Sequence, residues 1–241
     1  MLDDLLLLSG NDIPFKEGQV NIHQPTIKEI SLIGEESFHI GCQFLIFSID
    51  SLSEQDKISL GNKTDFEVFM SIMNSKERVQ YRQDAMLVLT LLFPGYEIKL
   101  TDNDILFAGP AGMGRINNFN FNTFKEIISD MFVLKDSANG EGYNPADAYA
   151  KKIAEKLKKA RQKVAKQNGE EVEKVAIFSR YVSILAVGEH KDMNSLMNLT
   201  VPQLKNEFKR YQLKYQSDIY FQAKMAGAQD LEEVEDWMQA I

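Results

Sequence analysis

Along most of the chain apolar residues recur every three or four positions, the spacing of a helix with one covered face. Thr26 followed three residues later by Glu29 has the form of a capping box, with Ile27, Ile30 and Ile33 on the covered side and Gly34 as the stop. Residues 37–49 are strongly apolar and read as a helix, or as a strand where Phe44 to Phe47 run together. A linker begins at 53–56. Thr64 caps a further helix carrying Phe66, Val68, Phe69, Ile72 and Met73, and another over 76–93 stops at Pro94-Gly95. Residues 123–134 place Phe124, Ile127, Ile128 and Met131 on one side.

Shorter patterns predict strands. Residues 5–8 read as an edge strand or docking segment closed by Ser9-Gly10-Asn11, and 19–23 as a short strand stopped at Gln24-Pro25. Residues 96–100 and 105–107 flank Thr101-Asp102-Asn103-Asp104, a hairpin signature, and 115–119 can add a third strand. Beyond 135 the pattern is helical throughout. A helix over 144–168 starts at Asn144-Pro145 and repeats Ile153, Leu157, Ala160 and Val164. Others follow over 170–187 and 193–197. Thr200-Val201-Pro202-Gln203 opens the longest one, along which Leu204, Phe208, Tyr211, Tyr215, Ile219, Gln222 and Ala226 step by three or four. Asp230 with Glu233 caps a last helix.

These patterns predict a helix-dominated α+β protein. Its N-terminal half is mixed and holds a short antiparallel β-meander; its C-terminal half is all-helical. The polar, glycine-containing stretch 135–142 marks the boundary between a mixed α+β domain, 1–138, and a helical domain, 139–241, begun by the 144–168 helix.

Charge changes the picture at that helix. It carries Lys151, Lys152, Lys156, Lys158, Lys159, Arg161, Lys163 and Lys166 against Asp147 and Glu155, net +6 in a chain of net −8. The face is either a surface for nucleic acid or an acidic partner, or an exposed helix complementing acidic neighbours of its own. A pI near 5.0 argues against a general nucleic-acid binder. With 44% hydrophobic and 26% charged residues over 241 positions, the composition is that of ordinary globular material. The acidic start has no signal-peptide form, and no apolar run is long enough to span a membrane.

Catalytic chemistry finds little support. Gly109 and Gly114 have the spacing of a phosphate loop, but Arg115-Ile116 stands where the Lys and Ser/Thr would be, and Pro110 removes an N–H donor. A turn between strands is the expectation. His23, His39 and His190 lack metal-ligand spacing, and Cys42, the sole cysteine, excludes an intramolecular disulfide and a cysteine-rich zinc site. No nucleophile–base arrangement can be nominated, so the expectation is a non-enzyme without catalytic residues, cofactor or metal. Aromatic residues are more telling. Phe119, Phe121 and Phe124 cluster near asparagines, while Tyr211, Tyr215, Tyr220, Phe221 and Trp237 crowd the C-terminal helices. At helical spacing they are core or a partner surface, since Tyr and Trp are enriched at interfaces.

Three stretches together carry a resemblance: IHQPTIKEISLIGEESF near the start, NNFNFNTFKEIISDMF followed by GYNPADAYAKKIAEKLKKARQKV, and the closing LTVPQLKNEFKRYQLKYQSDIYFQAKMAGAQDLEEVEDWMQAI. In this order they resemble proteins encoded in the tail-morphogenesis region of long-tailed phages of low-GC Gram-positive hosts. That group is similar in size and position to the tail assembly chaperones. The resemblance implies a non-enzymatic assembly factor in the host cytoplasm that coats the tape-measure protein and delivers tail-tube proteins. In related systems a translational frameshift can append the C-terminal part.

The alternatives are a structural tail or connector component that stays in the virion, and a nucleic-acid-associated protein using the basic helix. Candidate partner residues are Tyr211, Tyr215, Phe221 and Trp237 on the C-terminal helices, with Lys152, Lys156, Lys159 and Lys163 on the basic face. Self-association is a further expectation; a membrane is not.

Overall fold

The computed structural model describes residues 2–51, 55, 58, 60–75, 79–110, 112–132, 176–228 and 238. Through the N-terminal part run α1 (Asp4–Ser9), β1 (Ile13–Phe15), β2 (Val20–Ile22), α2 (Ile27–Ile33), α3 (Glu35–Leu45), α4 (Asp65–Met73) and α5 (Val79–Leu92). A meander of β3 (Glu97–Leu100), β4 (Asp104–Gly109) and β5 (Gly112–Asn117) leads into α6 (Phe121–Phe132). The C-terminal part contributes α7 (Ile177–Gly188), α8 (Met193–Met197) and α9 (Val201–Met225). This is the expected α+β class, helix-rich, with two small antiparallel sheets in the N-terminal half.

Local chemistry explains most element starts. Thr26 and Thr64 each accept from the N–H three residues on, while Glu29 and Glu67 turn back to the cap's own N–H at 2.7 Å. Both boxes satisfy donors that a helix end leaves orphaned. Of the two expectations for residues 5–8, the edge strand is replaced by helix, and the segment docks on Gln203 through the Leu8 carbonyl. Asp3 accepts from the Leu5 N–H at 2.7 Å, Leu is a strong helix former, and Gly10 stops the turn at φ 70°. Residues 37–49 resolve as helix over Glu35–Leu45.

The sheets are both antiparallel. β1 pairs β2 with Ile13 opposite Ile22, and β4 lies between β3 and β5. Gly109 stands opposite Gly112 at the turn that the phosphate-loop spacing had suggested, so the cluster is a strand connection. Gly114 has a different task. A Cβ there would come within 2.2 Å of Val20, so its bare backbone lets β5 lie against β2.

Phenylalanines fill the core between these elements. Phe93 lies 4.0 Å from Phe107, Phe66 5.2 Å from Phe121, Phe38 5.1 Å from Phe132, and Phe15 6.0 Å from Phe124, all as ring centroids. Each ring buried this way contributes roughly 1.5–3 kcal/mol. α3 crosses α5 at Gly41, where a Cβ would sit 2.5 Å from the Asp84 carbonyl oxygen. Asp65 joins three segments: it accepts from the Ile49 N–H at 2.8 Å and pairs with Lys125 of α6. Burial alone would raise its carboxyl, but hydrogen bonds from Ile49, Lys125 and Ser48, with the Lys125 charge, hold it below its ordinary value.

The C-terminal helices share this core. Residues 1–132 and 177–241 make one compact unit, and 133–176 a second, of which only Ala176 is described. The Ile27 N–H donates to the Leu199 carbonyl at 2.9 Å, Thr26 bridges Thr200, and Gln203 donates to the Leu8 carbonyl at 2.9 Å. A line at 138/139 thus separates elements that pack together here, because α7, α8 and α9 bury their apolar sides on the N-terminal elements as well as on one another. The stretch 135–142, the 144–168 helix and the helix expected after Asp230 lie outside the described residues, Met238 excepted.

Candidate functional site

The face singled out in the sequence lies on α9. Its start is fixed by Gln203, whose carboxamide accepts from the Thr200 N–H at 2.9 Å while donating to Leu8, with Pro202 in the first turn. Val201 and Leu204 are fully buried there. Phe208 stacks on Tyr181 of α7 with centroids 3.8 Å apart and planes at 11°. At α7's last turn Gly188 leaves room for Tyr211, whose hydroxyl a Cβ would meet at 2.3 Å. Beside this contact Lys191 binds Glu207 at 2.5 Å and Glu189 at 2.9 Å. Burial would lower the Lys191 ammonium, but the two carboxylates outweigh it and hold it above the ordinary lysine value.

Four residues on from Tyr211 the stripe leaves the core. Tyr215 is 56% exposed and Ile219 49%, although they lie directly along the line of Leu204, Phe208 and Tyr211. An adjacent row adds Phe221 at 57% and Met225 at 89%. Tyr215 stays in ring contact with Tyr211 at 6.1 Å, and Phe221 meets Tyr220 edge-on at 5.7 Å. Meanwhile Leu213 and Ser217, on another face of this half of the helix, are buried. The outer half of α9 therefore presents an aromatic and aliphatic surface to solvent.

Of the residues proposed from sequence, the structure brings Tyr211, Tyr215 and Phe221 onto this one helix, with Tyr211 half-covered by α7. Trp237 and the basic residues Lys152, Lys156, Lys159 and Lys163 lie outside the described residues. Met225 was missed; its place one turn beyond Phe221 could have revealed it. Also missed was Lys205, which α9 carries in toward Cys42 of α3. Burial pushes its ammonium down to about 8, an effect the Cys42 thiolate would oppose. Burial likewise pushes the Cys42 thiol well above its ordinary value, which leaves it protonated and unreactive. No sequence signal joins two residues so far apart.

α7 is anchored by a carboxylate from the N-terminal part. Glu35, at the start of α3, accepts from the Phe178 N–H at 2.7 Å. The His39 ring, one turn on, stacks against Phe178 at 5.1 Å. Burial alone would raise the Glu35 carboxyl; His39 and the N–H groups of Phe178 and Ser179 outweigh it and hold the group below its ordinary value. Glu35 thereby satisfies the first turn of α7 across the fold. Among the described residues no group of three or more His, Cys, Asp or Glu is placed to hold a metal ion, and no helix is long and apolar enough to cross a membrane.

The class defined so far is a helix-rich α+β protein with an exposed aromatic face on the longest helix among the described residues. Residues 166–241, which contain α7, α8 and α9, match the family model of the YomV second domain. That similarity over the C-terminal part agrees with the phage-derived class of protein suggested by the resemblance. No curated protein and no solved structure matches the chain.

Proposed function

We propose that this chain is a non-enzymatic, phage-derived tail assembly chaperone, acting in the host cytoplasm on tape-measure and tail-tube proteins. The observation that carries the reading is the outer half of α9, where Tyr215, Ile219, Phe221 and Met225 stand exposed on a helix whose base is firmly seated. A helix-prone client with an apolar stripe is suited to such a face, the helix-against-helix mode of recognition. Aromatic and methionine side chains are the types that give such surfaces their binding energy. The family match covers this same helix, and the resemblance of three stretches, covering most of the chain, to tail-morphogenesis proteins suggests the client.

The second reading is a tail or connector subunit that remains in the particle, since the same surface would serve a permanent contact. Tagged protein recovered from infected or induced cells, compared by mass spectrometry with purified virions, separates the two. The chaperone reading expects tape-measure and tail-tube proteins in the pull-down and almost none of this chain in virions. Stoichiometric amounts in virions would favour the structural subunit. Recovery of no phage protein would overturn both.

A further inference from the structure

On another part of the molecule, a groove of about 630 Å³ opens between α4 and the β3–β4–β5 sheet. That volume is in the range of small-molecule sites. The helix side supplies Glu67 and Asn74, and the sheet side Asp104, Arg115 and Asn117. At its edge stands Phe119, 96% exposed. Leaving this ring in water forgoes the free energy its burial would give.

The turn that displays it is nonetheless built. The Phe119 N–H donates to Asn117 Oδ1 at 3.1 Å, and the Asn117 N–H to Asn120 Oδ1 at 2.8 Å. The buried Asn120 amide then donates to the carbonyls of Glu17 at 3.1 Å and Arg115 at 3.0 Å. These bonds fix the backbone of the turn from which the exposed Phe119 ring projects.

The chemistry of the lining narrows the ligand. Its carboxylates are not placed to hold a metal ion. Glu67 is already engaged by the N–H and hydroxyl of Thr64, and Arg115 offsets one of the two other lining acids, Asp102 and Asp104, so the groove is not a strong cation site. Planar amides, a guanidinium and carboxylates offer donors and acceptors side by side. Sugar hydroxyls, each able to donate and accept, match that mixture, and the C–H face of a sugar ring packs on an aromatic face. We propose that this groove binds a neutral saccharide, one ring lying on Phe119 with its hydroxyls met by Asn74, Asn117, Arg115 and Asp104. The inference stands apart from the chaperone reading.

Saturation-transfer NMR and calorimetry on the full chain test it, with maltotriose, N-acetylglucosamine trimer and galactobiose as probes and pentalysine as the competing class. The expected result is millimolar binding of at least one saccharide, weakened about tenfold by Phe119→Ala, as loss of one stacking contact implies. The variant's thermal midpoint should be unchanged, because so exposed a ring makes little contact with the fold. Absence of saccharide binding, binding equal in Phe119→Ala, or binding of pentalysine alone would overturn the proposal.

Discussion

Two sets of aromatic residues at the same helical spacing have opposite fates. On α6, Phe121 and Phe124 pack ring against ring with Phe66, Phe15 and Phe93, and nothing of them reaches solvent. On α9, Phe208 and Tyr211 are half-covered through their contacts with α7, and then Tyr215 and Ile219 continue the spacing in the open, with Phe221 exposed in the row beside them. Periodicity therefore states that a face favours cover without stating what covers it. For α6 the cover is the same chain. For the outer half of α9 we assign it to another protein.

The comparison can be broken from either side, and the core side should show the largest effects. Phe124→Ala empties a fully buried site and should lower stability by about 3–5 kcal/mol in denaturant unfolding; a loss under about 1 kcal/mol would mean the α6 rings are not the core described. Gly41→Ala drives a methyl against the Asp84 carbonyl, and about 1–3 kcal/mol should go with the parting of α3 from α5. Lys205→Met should instead change how stability depends on pH. Its folded value lies below the unfolded one, so the unfolded chain binds the extra proton. Measured against the variant, wild-type stability should accordingly gain as pH climbs from about 8 toward the ordinary lysine value; parallel curves would contradict this burial.

Glu35→Gln sharpens how α7 is held, with a smaller loss of about 1 kcal/mol after allowing for solvent screening. Its carboxyl is depressed in the fold, so its contribution is complete above the ordinary carboxylate value and vanishes as pH falls through the lower folded value. An acid-unfolding curve should show wild type and variant converging at the acid end; a constant offset down to low pH would argue against this role.

Much of this was legible where cause and effect lie within a few residues. The boxes at Thr26 and Thr64, the Asp/Asn-rich hairpin and the start at Thr200 all follow from short-range chemistry. The run Leu5 to Leu8 was misjudged as strand because its apolar character outweighed Asp3 and Gly10, the start and stop signals on either side of it. What escaped was set by packing between distant segments: Gly41 under Asp84, Gly188 under Tyr211, Glu35 capping α7, and Lys205 drawn toward Cys42. The stripe on α9 was visible, but the point where it leaves the core depends on where α7 ends.

The most direct measurement is co-expression of the tape-measure protein with the wild-type chain and with a Tyr215→Ala, Ile219→Ala, Phe221→Ala variant. Stability should differ between the two chains by no more than about 0.5 kcal/mol per exposed substitution. The account predicts that the wild-type chain keeps its client soluble and co-purifies with it, while the equally folded variant does neither. Equal capture by both chains, or capture by neither, would contradict the assignment of α9's outer face to a client.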